Sequence, residues 1–192
     1  YDNRNRLVMI QDGNQRNLTT KKWVVNKYDD LNRIIETGIW DNNMNATTAR
    51  TTTFIYPTTN YEMLVKNHFD DYDGSPVASA YLTDWSAHFN TATTTFPYPE
   101  IPAANQVLRG LTAWSQVKVL GSSPAAFLNT VSAYDDKGRT IQTKSSNITG
   151  GLDVLTVQYT WAGSVLIGVQ KTEFAGTAPQ TTVVVTKNNF DD

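Results

Sequence analysis

The chain contains no cysteine, which removes a disulfide scaffold, a thiolate metal site and a cysteine nucleophile at once. Histidine is nearly as scarce, with only His68 and His88. Two loosely spaced histidines do not make a zinc site, and neither His-x-x-x-His nor an adjacent Glu-His pair occurs. A Gly-x-Ser-x-Gly elbow is also missing, so a Ser-His-Asp hydrolase has no nucleophile turn. No apolar run approaches the ~18 residues of a membrane-spanning helix. There is no basic excess either. Lys and Arg number 16 against 18 Asp and Glu, a net charge of −2, and they are scattered, which leaves no basic face for nucleic acid.

What the chain does have is a repeated phrase. Tyr1-Asp2-Asn3-Arg4-Asn5-Arg6-Leu7, Tyr28-Asp29-Asp30-Leu31-Asn32-Arg33-Ile34 and Tyr134-Asp135-Asp136-Lys137-Gly138-Arg139-Thr140 read aromatic, acid, two loose positions, Asn or Gly, then Arg. A decayed copy runs from Tyr159 through Gly163 to Val165, and Phe190-Asp191-Asp192 starts another. The spacing predicts a β-hairpin loop. The Asp accepts backbone N–H bonds two residues on, and the Asn or Gly tolerates left-handed φ. Together these give a type I turn closed by a bulge. Arg6, Arg33 and Arg139 then start the return strands within reach of Asp2, Asp29 and Asp135. Such partly exposed pairs are worth about 0–1 kcal/mol and set register more than stability.

Between the phrases the composition is that of strands, rich in Thr, Val, Tyr and Trp. Strands are expected near 7–10, 22–28, 33–40, 61–69, 114–120, 127–134, 139–143 and 181–186. After Gly150-Gly151, Leu155, Val157, Tyr159 and Trp161 alternate with Thr156, Gln158 and Thr160. That period of two marks a half-buried strand with the apolar parity facing the core. Trp23 and Trp161 are therefore read as core residues. The fold class expected is mainly β, an antiparallel hairpin meander forming one domain-sized segment over 1–192. Residues 41–108 form an irregular insertion within it. There, 79–89 suits a short helix or loop, the prolines near 96–102 force extended chain, and 103–111 is the best helix candidate. Three N-glycosylation patterns, at Asn17, Asn45 and Asn147, are chance matches in a chain this rich in Asn and Thr. Opening and closing in mid-phrase, the chain reads as a segment of a longer protein.

These phrases resemble the YD repeats of the Rhs family, large bacterial surface and secreted proteins. The likeness is strongest to Bacteroidetes-type versions, carried by Gly110-Leu111-Thr112-Ala113-Trp114-Ser115-Gln116-Val117-Lys118-Val119-Leu120-Gly121 and by Tyr134 to Thr143. It covers roughly the two ends of the chain; within 41–108 only Phe69 to Asp73 carries it. The resemblance implies long antiparallel strips that coil into a shell around a C-terminal domain, often a toxin. It further implies a secreted or cell-surface location and neighbouring repeats as partners. No cleavage motif or toxin domain is present to transfer.

Other chemistry is thinly represented. Asp70, Asp71, Asp73 and Gly74 invite a calcium reading, but Phe69 falls on the first ligand position of an EF-hand and Ala80 on the bidentate Glu. A looser cation site at these three aspartates stays open beside a plain solvated turn. No pair of carboxylates stands out for glycoside hydrolysis, and no cofactor is implied. Trp40, Trp85 and Trp114 flank the insertion and are the residues to examine for ligand contact. Three functions follow in order: a non-enzymatic structural segment, a carbohydrate- or protein-binding module using 41–108, and an enzyme. Cut strand edges near Tyr1 and Phe190 would favour self-association.

Overall fold

The structure, a computed structural model, describes residues 1–51, 53–93 and 99–190. Ten strands follow one another in chain order across a single antiparallel sheet. They are β1 Met9–Ile10, β2 Lys22–Tyr28, β3 Ile34–Asp41, β4 Tyr61–Asp70, β5 Leu108–Val119, β6 Ala126–Tyr134, β7 Thr140–Ser146, β8 Leu152–Tyr159, β9 Val165–Phe174 and β10 Gln180–Lys187. The helical pieces are α1 Gly13–Asn17, α2 Ala46–Thr51 and a 3₁₀ turn at Ser86–His88. Among the described residues no helix is long and apolar enough to cross a membrane. The expected mainly β meander is the observed fold.

The chain packs as two compact units. The first comprises residues 1–67 and 116–127. Its core is Val8, Trp23 and Val25, where the odd parity of β2 turns inward. The Trp23 indole N–H donates to the Asn42 carbonyl at 3.1 Å, so the large ring is buried without orphaning its donor. The Asp12 carboxylate and the Gln15 side chain cap α1 reciprocally, which explains a helix of one turn there.

The second unit comprises residues 68–115 and 128–192. One cluster gathers Leu108, Ala113, Trp114 and Val131 with Tyr72, Val77, Leu111 and Tyr134. Another gathers Leu166, Ile167 and Val169 with Trp85, Phe89 and Val185.

The strand expected at 61–69 within 41–108 forms as β4. Several other expectations need correction. No helix forms at 103–111; residues 101–107 run irregularly and β5 begins at Leu108. Trp161 is 72% exposed, since β8 ends at Tyr159 and Trp161 falls at the tip of the following turn. The parity of β8 is also opposite to the one its hydropathy suggests. Thr156, Gln158 and Thr160 are buried while Leu155 is 42% exposed. The cause is the segment that covers this face, described below. Phe96, Pro97 and Tyr98 of the proline-rich stretch, and Asp191 and Asp192 of the last half-phrase, lie outside the described residues.

Candidate functional site

Each phrase closes as the same corner. In the first, Asn5 N–H donates to Asp2 O and Asp2 N–H to Arg6 O. The same pair of bonds links Asp29 with Asn32 and Arg33, Asp135 with Gly138 and Arg139, and Thr160 with Gly163 and Ser164. The residue three past the acid slot has positive φ each time: 57° at Asn5, 65° at Asn32, 74° at Gly138 and 93° at Gly163. A bulge sits beside the aromatic, with Tyr28 opposite Ile34, Tyr134 opposite Thr140 and Tyr159 opposite Val165.

The acid acts as a staple. Asp135 Oδ1 accepts from the N–H of Lys137 at 3.0 Å and of Arg139 at 2.8 Å, and Oδ2 accepts from Arg139 Nε at 2.6 Å. Asp2 and Asp29 make the same three bonds with Arg4 and Arg6, and with Leu31 and Arg33. At Asp29 desolvation acts to raise the pKa, but the Arg33 and Leu31 N–H bonds and the Arg33 charge outweigh it and hold the carboxyl below its ordinary value. The same balance holds at Asp2 with Arg6 and Arg4.

Corners also grip one another. The Arg6 guanidinium lies 4.7 Å over the ring of Tyr28 and donates to Asp29 O. Arg139 lies 4.8 Å over Tyr159 and donates to Thr160 O. Tyr28 OH in turn donates to Leu7 O, and Tyr159 OH to Thr140 O. The Arg of one phrase is thus held by the Tyr of the next, through a cation–π contact and two backbone bonds. Because any residue with a Cβ strains left-handed φ, Gly138→Val is expected to cost about 1–2 kcal/mol by thermal melting. Gly138→Asn should cost little, since Asn5 and Asn32 already fill that slot. The space is open, with no atom within 4 Å of an added Cβ, so a valine that left melting unchanged would contradict the turn.

Two further corners escape a search for Tyr-Asp. Asn147 takes the acid slot in the β7–β8 turn. Its Oδ1 accepts from Thr149 and Gly151 N–H, and Gly150 has φ 84°. Its Nδ2 donates to Asp153 and to Glu173 O, so this sequon asparagine is engaged in the turn. The other corner is split. Tyr134 OH donates to Thr112 O, two residues past Gly110 with φ 84°, just as Tyr159 OH reaches Thr140 two past Gly138. Asp70 Oδ1 accepts from Gly110 N–H at 2.6 Å. Phe69-Asp70 and Gly110-Leu111, with 71–109 between them, thus meet like the two sides of a split corner, although Gly110 bonds the Asp70 carboxylate where the intact corners use the backbone carbonyl.

The inserted segment straps one face of the second unit. A cross-strand row runs Ala133, Gln142, Thr156, Val169, Val185. Gln142 donates to Leu82 O at 3.0 Å and accepts from Leu82 N–H at 2.9 Å. Gln158 makes the same two-point contact with Asn90, at 2.8 Å each way. Each buried amide therefore serves a strap residue as a neighbouring strand would. Lys144, 2% exposed, donates to the carbonyls of Ala78 and Ala80, and burial lowers its pKa. Trp85 and Phe89 cover Ile167 and Val169. This polar strap backbone is why the polar parity of β8 faces inward.

The segment returns past the corners. Pro99 bridges to Thr160, Glu100 N–H donates to Tyr159 O and Asn105 N–H to Tyr134 O. The Glu100 carboxylate pairs with Lys137 and Arg139, whose hydrogen bonds hold its pKa below the ordinary value. A half-open pocket of about 410 Å³ lies here, lined by residues 100–105 with Asp135, Asp136, Arg139, Ile141, Val157 and Tyr159. Along its wall Glu100 pairs with Lys137 and Arg139, and Arg139 with Asp135.

The remaining sequence candidates are scattered. Trp114 is buried, stacked on His68 at 5.0 Å and bonded to Asp73 O; its ring has no face open to a ligand. Trp85 belongs to the strap itself and is half-buried against the cluster of Leu166, Ile167 and Val169. Trp40 lines a pocket of about 180 Å³ in the first unit with Met9, Met44, Ala49, Phe54 and Ile55. Asp71 bonds His68 at 2.6 Å and the N–H of Asp73, and those bonds lower its pKa. Asp70 faces Gly110, so the three aspartates do not converge. Among the described residues no group of three metal-ligating side chains does. No family model, curated protein or solved structure matches the chain.

Proposed function

We propose that this chain is a non-enzymatic structural segment of a β-sheet strip, belonging to a large bacterial surface or secreted protein of the Rhs/YD-repeat type. The observation that carries the reading is the grip between successive corners, Arg6 on Tyr28 and Arg139 on Tyr159. Such a contact serves no chemistry within one hairpin. It links the first phrase to the second and the third to the fourth, the nearest-neighbour coupling from which repeat arrays draw stability. The strap adds cover to one face, and the polar pocket beside the corners holds mutually neutralised charges. In the parent protein the partners of this segment would be further repeats on either side.

The phrase itself supplies the test. Joining Asp192 of one copy to Arg4 of a second completes Phe-Asp-Asp-Arg-Asn-Arg, a whole phrase at the junction. The tandem protein is expected to melt in one transition, several degrees above the single chain. A tandem that melts at the single-chain temperature would show that the copies do not propagate a common sheet, and the reading would fall.

A further inference from the structure

Strand β10 is paired along its whole length with β9, from Gln180 opposite Phe174 to Lys187 opposite Ile167, without a bulge. Among the described residues nothing pairs with its other side. Natural edges are blunted by shortness, proline, bulges or inward charges. At the other end of the strand order the edge strand is only Met9–Ile10. β10 carries none of these protections except a Lys at its end, and Val183 and Val184 are 43% and 53% exposed.

The direction of its free hydrogen-bonding groups follows from one bond. Asn188 N–H donates to Leu166 O, so in this unbroken register the even-numbered residues of β10 turn their N–H and C=O toward β9. In an antiparallel ladder those of the odd residues then point outward. Thr181, Val183, Val185 and Lys187 each present an unpaired donor and acceptor on that side.

The sequence Thr182-Val183-Val184-Val185-Thr186 reads the same in both directions. We infer that a second copy of this chain docks antiparallel along β10, on a two-fold axis through Val184. In that register Val184 faces Val184, Val183 faces Val185, and Thr182 faces Thr186. The outward groups of Val183 and Val185 exchange hydrogen bonds, as do those of Thr181 and Lys187. No like charges meet. Lys187 of one copy faces the uncharged Thr181 of the other, so the only charge on the strand meets no charge across the contact. Such an isologous contact closes on itself and yields a dimer. The inference rests on the geometry of β10 and concerns this chain on its own; in the strip reading the next repeat takes the same edge, and a failed tandem would leave the inference standing.

A chain without cysteine gives a clean test. The Val184 pair is a non-hydrogen-bonded one, where side chains approach most closely and a disulfide can form. Under mild oxidation Val184→Cys is expected to cross-link at least tenfold faster than Val183→Cys. Val117→Cys, exposed elsewhere, reports random collision. Val184→Lys should sediment as a monomer at concentrations where the unaltered chain is dimeric. Circular dichroism of each variant checks that the sheet is kept. Equal cross-linking at positions 183 and 184, or an unaltered chain that stays monomeric at high concentration, would overturn the inference.

Discussion

Gln158→Leu is expected to lower stability by about 2–4 kcal/mol while preserving side-chain volume. The substitution leaves the N–H and the C=O of Asn90 without the amide that now serves both. Gln158 is fully buried, and each unsatisfied buried group costs about 1–3 kcal/mol. In a protein of this size that corresponds to a fall in melting temperature of roughly 5–15 °C. The loss has a location as well as a size. With one latch gone, proteolytic cleavage within 78–93 should rise several-fold, while the turns at 135–139 and 160–164 resist. Gln170→Leu, on the exposed side of β9, is the control and should stay within about 0.5 kcal/mol. A variant that melts and resists protease like the parent would mean that the strap is held by its apolar contacts alone.

Asp135→Ala carries the second large effect. It removes the acceptor for two backbone N–H groups and for Arg139 Nε at a residue only 7% exposed. The Arg139 guanidinium keeps Glu100 but loses its pair with Asp135. An expected cost of about 2–4 kcal/mol follows from unsatisfied donors plus a broken charge pair. Asp135→Asn should lose less, because Asn147 shows an amide oxygen closing the same corner. Asp136→Ala, exposed at the turn tip, should be nearly silent. Melting curves of the three variants check the order. Equal losses at 135 and 136 would show that the carboxylate is not a staple.

The corners were legible because their chemistry is local. An Asp, then three residues later an Asn or Gly, then an Arg, dictates its own hydrogen bonds within seven residues. The grip of Arg139 on Tyr159 was not legible, since it depends on the next hairpin returning to the same end of the sheet. The parity of β8 misled for a different reason. Hydropathy assigns Leu155 and Val157 to the inside, whereas the strap brings peptide groups that Gln142, Gln158 and Lys144 satisfy, with Thr156 bonded to Gln142. The identity of a covering segment from 60 residues away is not written in the strand it covers. Trp114 shows the same limit. Flanking an insertion suggested an exposed ring, but the split corner draws it into the core. That corner itself was half visible, in Phe69-Asp70 and in Gly110-Leu111-Thr112, and only the bond from Gly110 to Asp70 joins the halves.

The most direct test of the stapled-corner ribbon is native-state hydrogen exchange on isotope-labelled protein. The account predicts slow amides at Arg6, Arg33, Gly138 and Arg139, bonded within their corners, beside fast ones at Asp30 and Asp136, which have no such acceptor. Protection that is absent across 135–139, or no higher at Arg139 than at Asp136, would contradict it.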